Sequence, residues 1–295
     1  MEQTLRNPYK SEKLADSFLL PDPPPTAASL IVTIYGDAIE PRGGVLWMGN
    51  LIDLCARFSI SETRVRTAVS RLVGGGQLVG EREGRRSFYR LTPEARREYL
   101  AAAHVLFGGE PPAAEFTFAL NVPPEAQKRM ENEGFAEAGA GIWLGADRPR
   151  PDLPGVVFKA HPQTGDADLL ELCMRLWPLD MFADRYRDFL DRYEPVKQAL
   201  VAGLTLGPES ALSARLAMVH AYRGIVLRDP RLPSTALPDN WPGRDAKILF
   251  SHLYRALSPA ADSHIGAIFS NASGALPVRT PATDKRLADL GEAGG

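Results

Sequence analysis

Six side chains packed into one short stretch offer the most specific chemistry in this chain. Thr63, Arg64, Arg66, Thr67, Ser70 and Arg71 lie within SETRVRTAVSRLV, Ser61 to Val73. Guanidinium groups donate in a fixed fork that matches phosphate oxygens and guanine edges, and hydroxyls reach either partner. A second basic point follows at Gly84-Arg85-Arg86. From Glu62 to Val73, Arg64, Arg66 and Arg71 outweigh Glu62, for a local charge of +2. From Glu81 to Leu91, Arg82, Arg85, Arg86 and Arg90 outweigh Glu81 and Glu83, again +2. The chemistry is non-covalent reading of double-stranded DNA. No catalytic residue is expected.

Such a face needs a helix to carry it. Val65, Ala68, Val69 and Leu72 fall at i, i+3, i+4 and i+7, one buried stripe, which turns the hydroxyls and arginines outward. Ser61 is a suitable N-cap, and Gly74-Gly75-Gly76 stops the helix. Two β-prone runs, Gln77 to Glu81 and Ser87 to Leu91, predict a hairpin whose tip holds Gly84, Arg85 and Arg86. Upstream, Leu30, Ile31, Ile34, Tyr35 and Ala38 predict a first helix that breaks at Pro41 and Gly43-Gly44. Leu46, Trp47, Leu51, Leu54, Cys55 and Phe58 predict a second, ending near Ser59. Three helices and then a hairpin is the winged helix-turn-helix order. Thr92-Pro93-Glu94 supplies a cap, a first-position proline and a first-turn acid, so a linker helix follows to about Phe107.

The expected class is α+β multidomain: an N-terminal winged helix-turn-helix, a central ferredoxin-like domain and a C-terminal helical domain. Residues 1–27 end in Pro21-Asp22-Pro23-Pro24-Pro25 and read as a flexible arm; the DNA-binding domain with its linker helix spans 28–107. The Gly/Pro-rich joint at Gly108 to Ala114 opens the central domain, 108–165. There a strand at Phe116–Val122, a helix opened by Pro123-Pro124-Glu125, strand-like Ile142-Trp143-Leu144 and a later strand at Val156–Lys159 give the ferredoxin-like pattern. Residues 166–270 read as helices, with stripes at Phe182–Tyr193 and Leu212–Val226 and a last strong helix at Gly243–Leu257. The remainder, 271–295, has few large apolar residues and reads as a disordered tail.

Several function classes are disfavoured. The 34 basic and 36 acidic residues nearly cancel, so DNA contact must come from local patches rather than overall potential. Cys55 and Cys173 stand apart in apolar surroundings, which fits a reducing cytoplasm and no disulfide framework. No apolar run reaches membrane length, and no signal-like N-terminus is seen. The five histidines are scattered, without HExxH, HxxxH or CxxC, so no metal site and no cofactor are expected. The ferredoxin-like unit leaves a metal-dependent nuclease or hydrolase as an alternative, disfavoured because Ala119-Leu120-Asn121-Val122 has no carboxylate where one would close the first strand. An interaction module without DNA binding is the other alternative.

Larger motifs point to a family. SLIVTIYGDAIEPRGG at Ser29 to Gly44, TRVRTAVSRLV at Thr63 to Val73 and GRRSFYRLTPEARR at Gly84 to Arg97 resemble the phenylacetate-catabolism repressors of the PaaX type. ARLAMVHAYRGIVLRDPRLPSTALPDNWPG at Ala214 to Gly243, with LYRAL at Leu253 to Leu257, resembles that family's second signature. The resemblance implies a homodimeric repressor of an aromatic-acid catabolic operon, bound to a palindromic operator and released by a small acyl-CoA-type effector such as an aryl-acetyl-CoA thioester. One departure is that the tryptophans common in the family where the first central strand begins are absent from GGEPPAAEFTFAL, Gly108 to Leu120. His220, Arg223, Arg228 and Trp241 are the candidate effector contacts, the arginines for coenzyme A phosphates and Trp241 for an apolar cleft. The competing reading of the same residues is a domain-packing ion-pair cluster that holds the proline-rich loop.

Overall fold

A computed structural model describes residues 25–108, 115–148, 152–163 and 165–292. Most of the proposed N-terminal arm and the Gly/Pro-rich joint therefore lie outside the described residues. The class is α+β. The described residues fall into two compact units, one drawn from 1–109, 190–223 and 247–295, the other from 110–189 and 224–246. The stretch 166–270, read from sequence as one helical block, thus divides between the units. Periodicity identifies a helix but not which end of it packs where, and the long helices contribute to both.

The first unit begins with α1 (Ala27–Ile34), whose N-cap Thr26 accepts from Ser29 N at 3.2 Å. Its helical path continues through a π-helical turn, Tyr35–Ile39, and a 3-10 turn, Glu40–Arg42. Gly43 and Gly44, at φ 100° and 78°, end it in the left-handed region that favours glycine. The predicted stripe, Leu30, Ile31, Ile34, Tyr35 and Ala38, is buried. Leu46 and Trp47 depart from expectation, forming a short strand β1 (Leu46–Trp47) instead of the start of α2 (Met48–Ala56). They pair with Tyr89 and Phe88, so cross-strand partners late in the chain override the local helical spacing. Next come α3 (Glu62–Gly74), β2 (Leu78–Glu83), β3 (Arg86–Leu91) and α4 (Pro93–Phe107). The sheet order is β1-β3-β2, antiparallel throughout.

Thr92 ties this hairpin to what flanks it. Its Oγ1 accepts from Ala95 N at 3.3 Å, capping α4, and donates to Gly76 O at 2.7 Å, just beyond α3. Thr92→Ala removes both bonds. It is expected to lower stability by about 1–2 kcal/mol in urea unfolding, with no change in m-value.

Two later helices, α8 (Pro208–Val226) and α9 (Gly243–Ile268), complete the first unit's core. Leu212, Leu216, Leu257 and Ile265 share one apolar cluster with Leu30, Ile34, Leu51, Phe58 and Val65. Each such side chain contributes roughly 1.5–3 kcal/mol by leaving water. The predicted disordered tail is corrected here. Residues beyond Ile268 form a small hairpin, β8 (Ser270–Asn271) with β9 (Gly274–Ala275), and a helix α10 (Pro281–Glu292). Leu276 and Leu290 are buried, and polar bonds do what apolar residues would otherwise do. Arg42 donates to Pro277 O and Val278 O at 3.0 Å each, and Thr280 Oγ1 donates to Pro41 O at 2.7 Å. Composition does not register that kind of anchoring.

The second unit holds β4 (Phe116–Leu120), α5 (Pro124–Asn132), β5 (Ala136–Gly139), β6 (Ile142–Ala146) and β7 (Val156–Ala160). Its sheet order is β5-β6-β4-β7, every pair antiparallel. Strand alternation sorts the core. Phe116, Leu144 and Ala146 pack with Leu169 and Cys173 of α6 (Asp166–Leu176), while Ala119 and Trp143 pack with Met130 of α5 and with Phe135. From α7 (Leu179–Val201), Tyr186 donates its hydroxyl to buried Asp229 Oδ2 at 2.7 Å.

Candidate nucleic-acid interface

All eight residues singled out from sequence for DNA contact are exposed: Thr63, Arg64, Arg66, Thr67, Ser70 and Arg71 on α3, and Arg85 and Arg86 on the hairpin. The cause is the stripe that opposes them, since Val65, Ala68, Val69 and Leu72 are buried as their spacing requires. Ser61 occupies the N-cap position with φ −66° and ψ 152°, but its side chain makes no cap hydrogen bond. The C-terminal end closes as expected for glycines, with Gly75 N donating to Arg71 O at 2.8 Å and Gly76 at φ 69°.

The exposed face has two edges. Arg66, Ser70 and Val73 border a groove whose other wall is the hairpin, with Gly80, Arg82, Ser87 and Tyr89. Thr63, Arg64, Thr67 and Arg71 lie along the opposite edge, beside Thr26 to Ala28 at the start of α1. Electrostatics separates the arginines further. Arg66 Nη2 sits 2.7 Å from Glu62 Oε1, an i,i+4 pair with both side chains more than half exposed. Arg64 and Arg71 have no ion-pair partner among the described residues. Thr67 Oγ1 already donates to Thr63 O at 2.9 Å, leaving its oxygen to accept.

On the hairpin, Glu83 pairs with Arg86 across the two-residue turn Gly84-Arg85, with Gly84 at φ 58°. Arg86 is therefore the first residue of β3 and not part of the tip. Its Cζ lies 5.0 Å from the centre of the Trp47 ring, a cation–π contact that limits where its guanidinium can reach. Sequence reading missed Trp47 in this role, because only the strand pairing brings it beside Arg86. The arrangement can donate to phosphates from two basic rims and to base edges from the helix between them.

The four candidate effector contacts are not gathered in one unit. His220 and Arg223 belong to the first. His220 Nδ1 lies 2.9 Å from Thr33 Oγ1, and Arg223 Nη1 donates to the same hydroxyl at 3.3 Å. Arg228 and Trp241 belong to the second. Arg228 is bonded to Gly224 O at 3.1 Å, and the Trp241 ring stands edge-on to Tyr186 at 5.9 Å.

Burial, then the neighbouring Arg223 charge, lowers the His220 pKa to about 4, so its ring is neutral at pH 7. Below about pH 6.5 the unfolded chain takes a proton that the folded ring refuses, so this group's contribution to stability is complete above that pH and is lost as pH falls towards 4. The drop in unfolding free energy between pH 7.5 and 5 should be smaller in His220→Gln than in the parent protein.

A second polar constellation escaped sequence reading. Arg215 is 1% exposed and bridges two buried carboxylates, with Nε donating to Asp37 Oδ2 at 3.0 Å and Nη1 to Asp262 Oδ1 at 2.7 Å. Arg42 Nη2 meets the same Asp262 oxygen at 2.7 Å, and Arg286 donates to Asp37 O and to the Tyr99 and Tyr254 hydroxyls. The signal was present, since Asp37 and Arg215 each sit within an otherwise apolar helical stripe.

Comparison with known proteins adds a relationship. The sequence matches the PaaX-like protein family model over residues 26–95 and the PaaX-like protein C-terminal domain model over 177–267. It is 29% identical over 280 residues to the transcriptional repressor PaaX of Escherichia coli (strain K12), covering 86% of this chain and 87% of that protein. A solved structure of an uncharacterized protein from Mycobacterium tuberculosis is similar in fold, with TM-score 0.51 and 21% identity, over 81% of this chain and 98% of that one.

Proposed function

Since the chain belongs to the PaaX-like family, we propose that it is a DNA-binding transcriptional repressor and not an enzyme. The observation that carries this reading is the exposed face of α3, whose hydroxyls and arginines lie between the hairpin groove and a second basic rim. The E. coli relative is a transcriptional repressor, and that role comes to this chain as part of the proposal. In this reading residues 28–107 act as a winged helix-turn-helix, with α3 in the major groove and Arg85 and Arg86 on neighbouring phosphates. The four-stranded sheet is the ferredoxin-like domain.

The proposed repressor acts in the cytoplasm as a homodimer on a palindromic operator, where two-fold symmetry doubles each local basic patch of a near-neutral chain. Its operon serves aromatic-acid catabolism, and a small acyl-CoA-type effector releases it. Release requires that the effector prefer the arrangement that does not bind DNA. No described helix is long and apolar enough to cross a membrane.

Selection of bound sequences from a random duplex library tests the proposal. Enrichment of an inverted repeat with half-sites about one helical turn apart is expected. Recovery of an unenriched library would reject it.

A further inference from the structure

A groove of about 540 Å³ runs beside α3, with Thr63, Arg64, Thr67 and Arg71 on one side and residues 25–28 on the other. Ile60 and Ala68, both buried, give it an apolar wall. Its charge is of one sign, since Arg64 and Arg71 border it and no described acid does. Both arginines are exposed and have no ion-pair partner among the described residues. The chain itself leads into this groove. Pro25 lines it, and residues 1–24, which come just before, lie outside the described residues.

The sequence leading up to Pro25 has the complementary character. From Leu14 to Pro24 it reads LADSFLLPDPP, with Asp16, Asp22, the apolar run Phe18-Leu19-Leu20 and no lysine or arginine. Arg6, Lys10 and Lys13 all lie farther from the groove along the chain. Asp22, three residues before Pro25, is within about 10 Å of it even at full extension, and Asp16, nine residues before, is within about 30 Å. Arg64 and Arg71 are about 10 Å apart along α3, so the two acids span the separation of the two bases. A segment tethered this closely meets the groove at a roughly millimolar effective concentration, and modest contacts are enough to fill it. We propose that residues 14–24 fold back into this groove, with Asp16 and Asp22 on Arg64 and Arg71 and Phe18 to Leu20 against its apolar wall, and so compete with DNA for the same guanidiniums. This competition rests on the reading of α3 as the DNA-recognition helix and gives that helix a built-in inhibitor. Operator must displace the segment, and the apparent Kd is the intrinsic one divided by the fraction of molecules whose groove is open.

The rate at which chymotrypsin cuts the full chain after Phe18 tests this. Arg64→Ala/Arg71→Ala should be cut there roughly fivefold faster than the parent protein, and saturating operator duplex should speed cutting of the parent by a similar factor. Circular dichroism checks that the variant is folded. Equal rates in parent and variant overturn the assignment, as does slower cutting when operator is added, which would lay the segment on the DNA instead. In fluorescence anisotropy, Asp16→Asn/Asp22→Asn should tighten operator binding roughly fivefold. Glu2→Gln/Glu12→Gln removes the same charge farther from the groove and should change it by less than about twofold. Equal gains from both pairs would trace the effect to overall charge and overturn the contact. A protein that binds operator but is cut at the same rate with and without the two arginines rejects the groove contact alone. One that protects Phe18 through those arginines yet binds no operator keeps the contact and rejects the regulatory reading.

Discussion

Arg215→Ala is expected to destabilise the protein by about 3–5 kcal/mol, the cost of breaking a buried ion pair by removing one partner. Arg215 holds Asp37 through Nε at 3.0 Å and Asp262 through Nη1 at 2.7 Å, donates to Ser258 Oγ at 3.3 Å and lies 5.2 Å from the centre of the Tyr254 ring. The two aspartates lose unequally. Asp262 keeps Arg42 at 2.7 Å, whereas among the described residues Asp37 keeps only the longer 3.8 Å ion pair with Arg286. Most of the penalty is therefore an uncompensated carboxylate at Asp37, with lost packing against Tyr254 added. The exposed Glu62–Arg66 pair is an internal control. Arg66→Ala should cost at most about 0.5 kcal/mol, because solvent already screens both charges. Urea unfolding of the two variants measures the contrast, and equal losses would show that the Arg215 cluster is not a structural tie.

The second large effect concerns DNA. Removing Arg64 and Arg71 together should weaken operator binding by about 1–3 kcal/mol for each residue and leave unfolding unchanged within about 0.5 kcal/mol. Both guanidiniums lie on the rim of α3 beside the start of α1, exposed and without an ion-pair partner among the described residues. Arg66→Ala should cost less affinity than either, since Glu62 at 2.7 Å competes with the nucleic acid for its guanidinium. Fluorescence anisotropy with a selected operator duplex orders the three. A larger loss at Arg66 than at Arg71 would mean that the Glu62 pair opens freely in the complex.

The helical stripes were legible because each is a repeating pattern within one segment. Val65, Ala68, Val69 and Leu72 placed α3 to within a residue or so, and Thr92-Pro93 placed the start of α4. Features made by residues distant in the chain were not legible. Trp47 looked like the first turn of a helix until Phe88 became its strand partner, and the same pairing put its ring beside Arg86. Asp37 and Arg215 were read past because a charge within an apolar stripe has no visible partner in sequence. The segment beyond Ile268 looked like a tail because Arg42, Thr280 and Arg286 anchor it through polar bonds. His220 and Arg223 meet at Thr33, a hydroxyl on α1 that spacing within their own helix does not reveal.

The most direct measurement is the salt dependence of operator affinity in the parent protein and in the Arg64→Ala/Arg71→Ala variant. If α3 lies against DNA, log affinity falls linearly with log salt, and the variant's slope is shallower by about two, one for each lost cationic contact. Parallel lines with equal slopes would contradict a recognition role for α3.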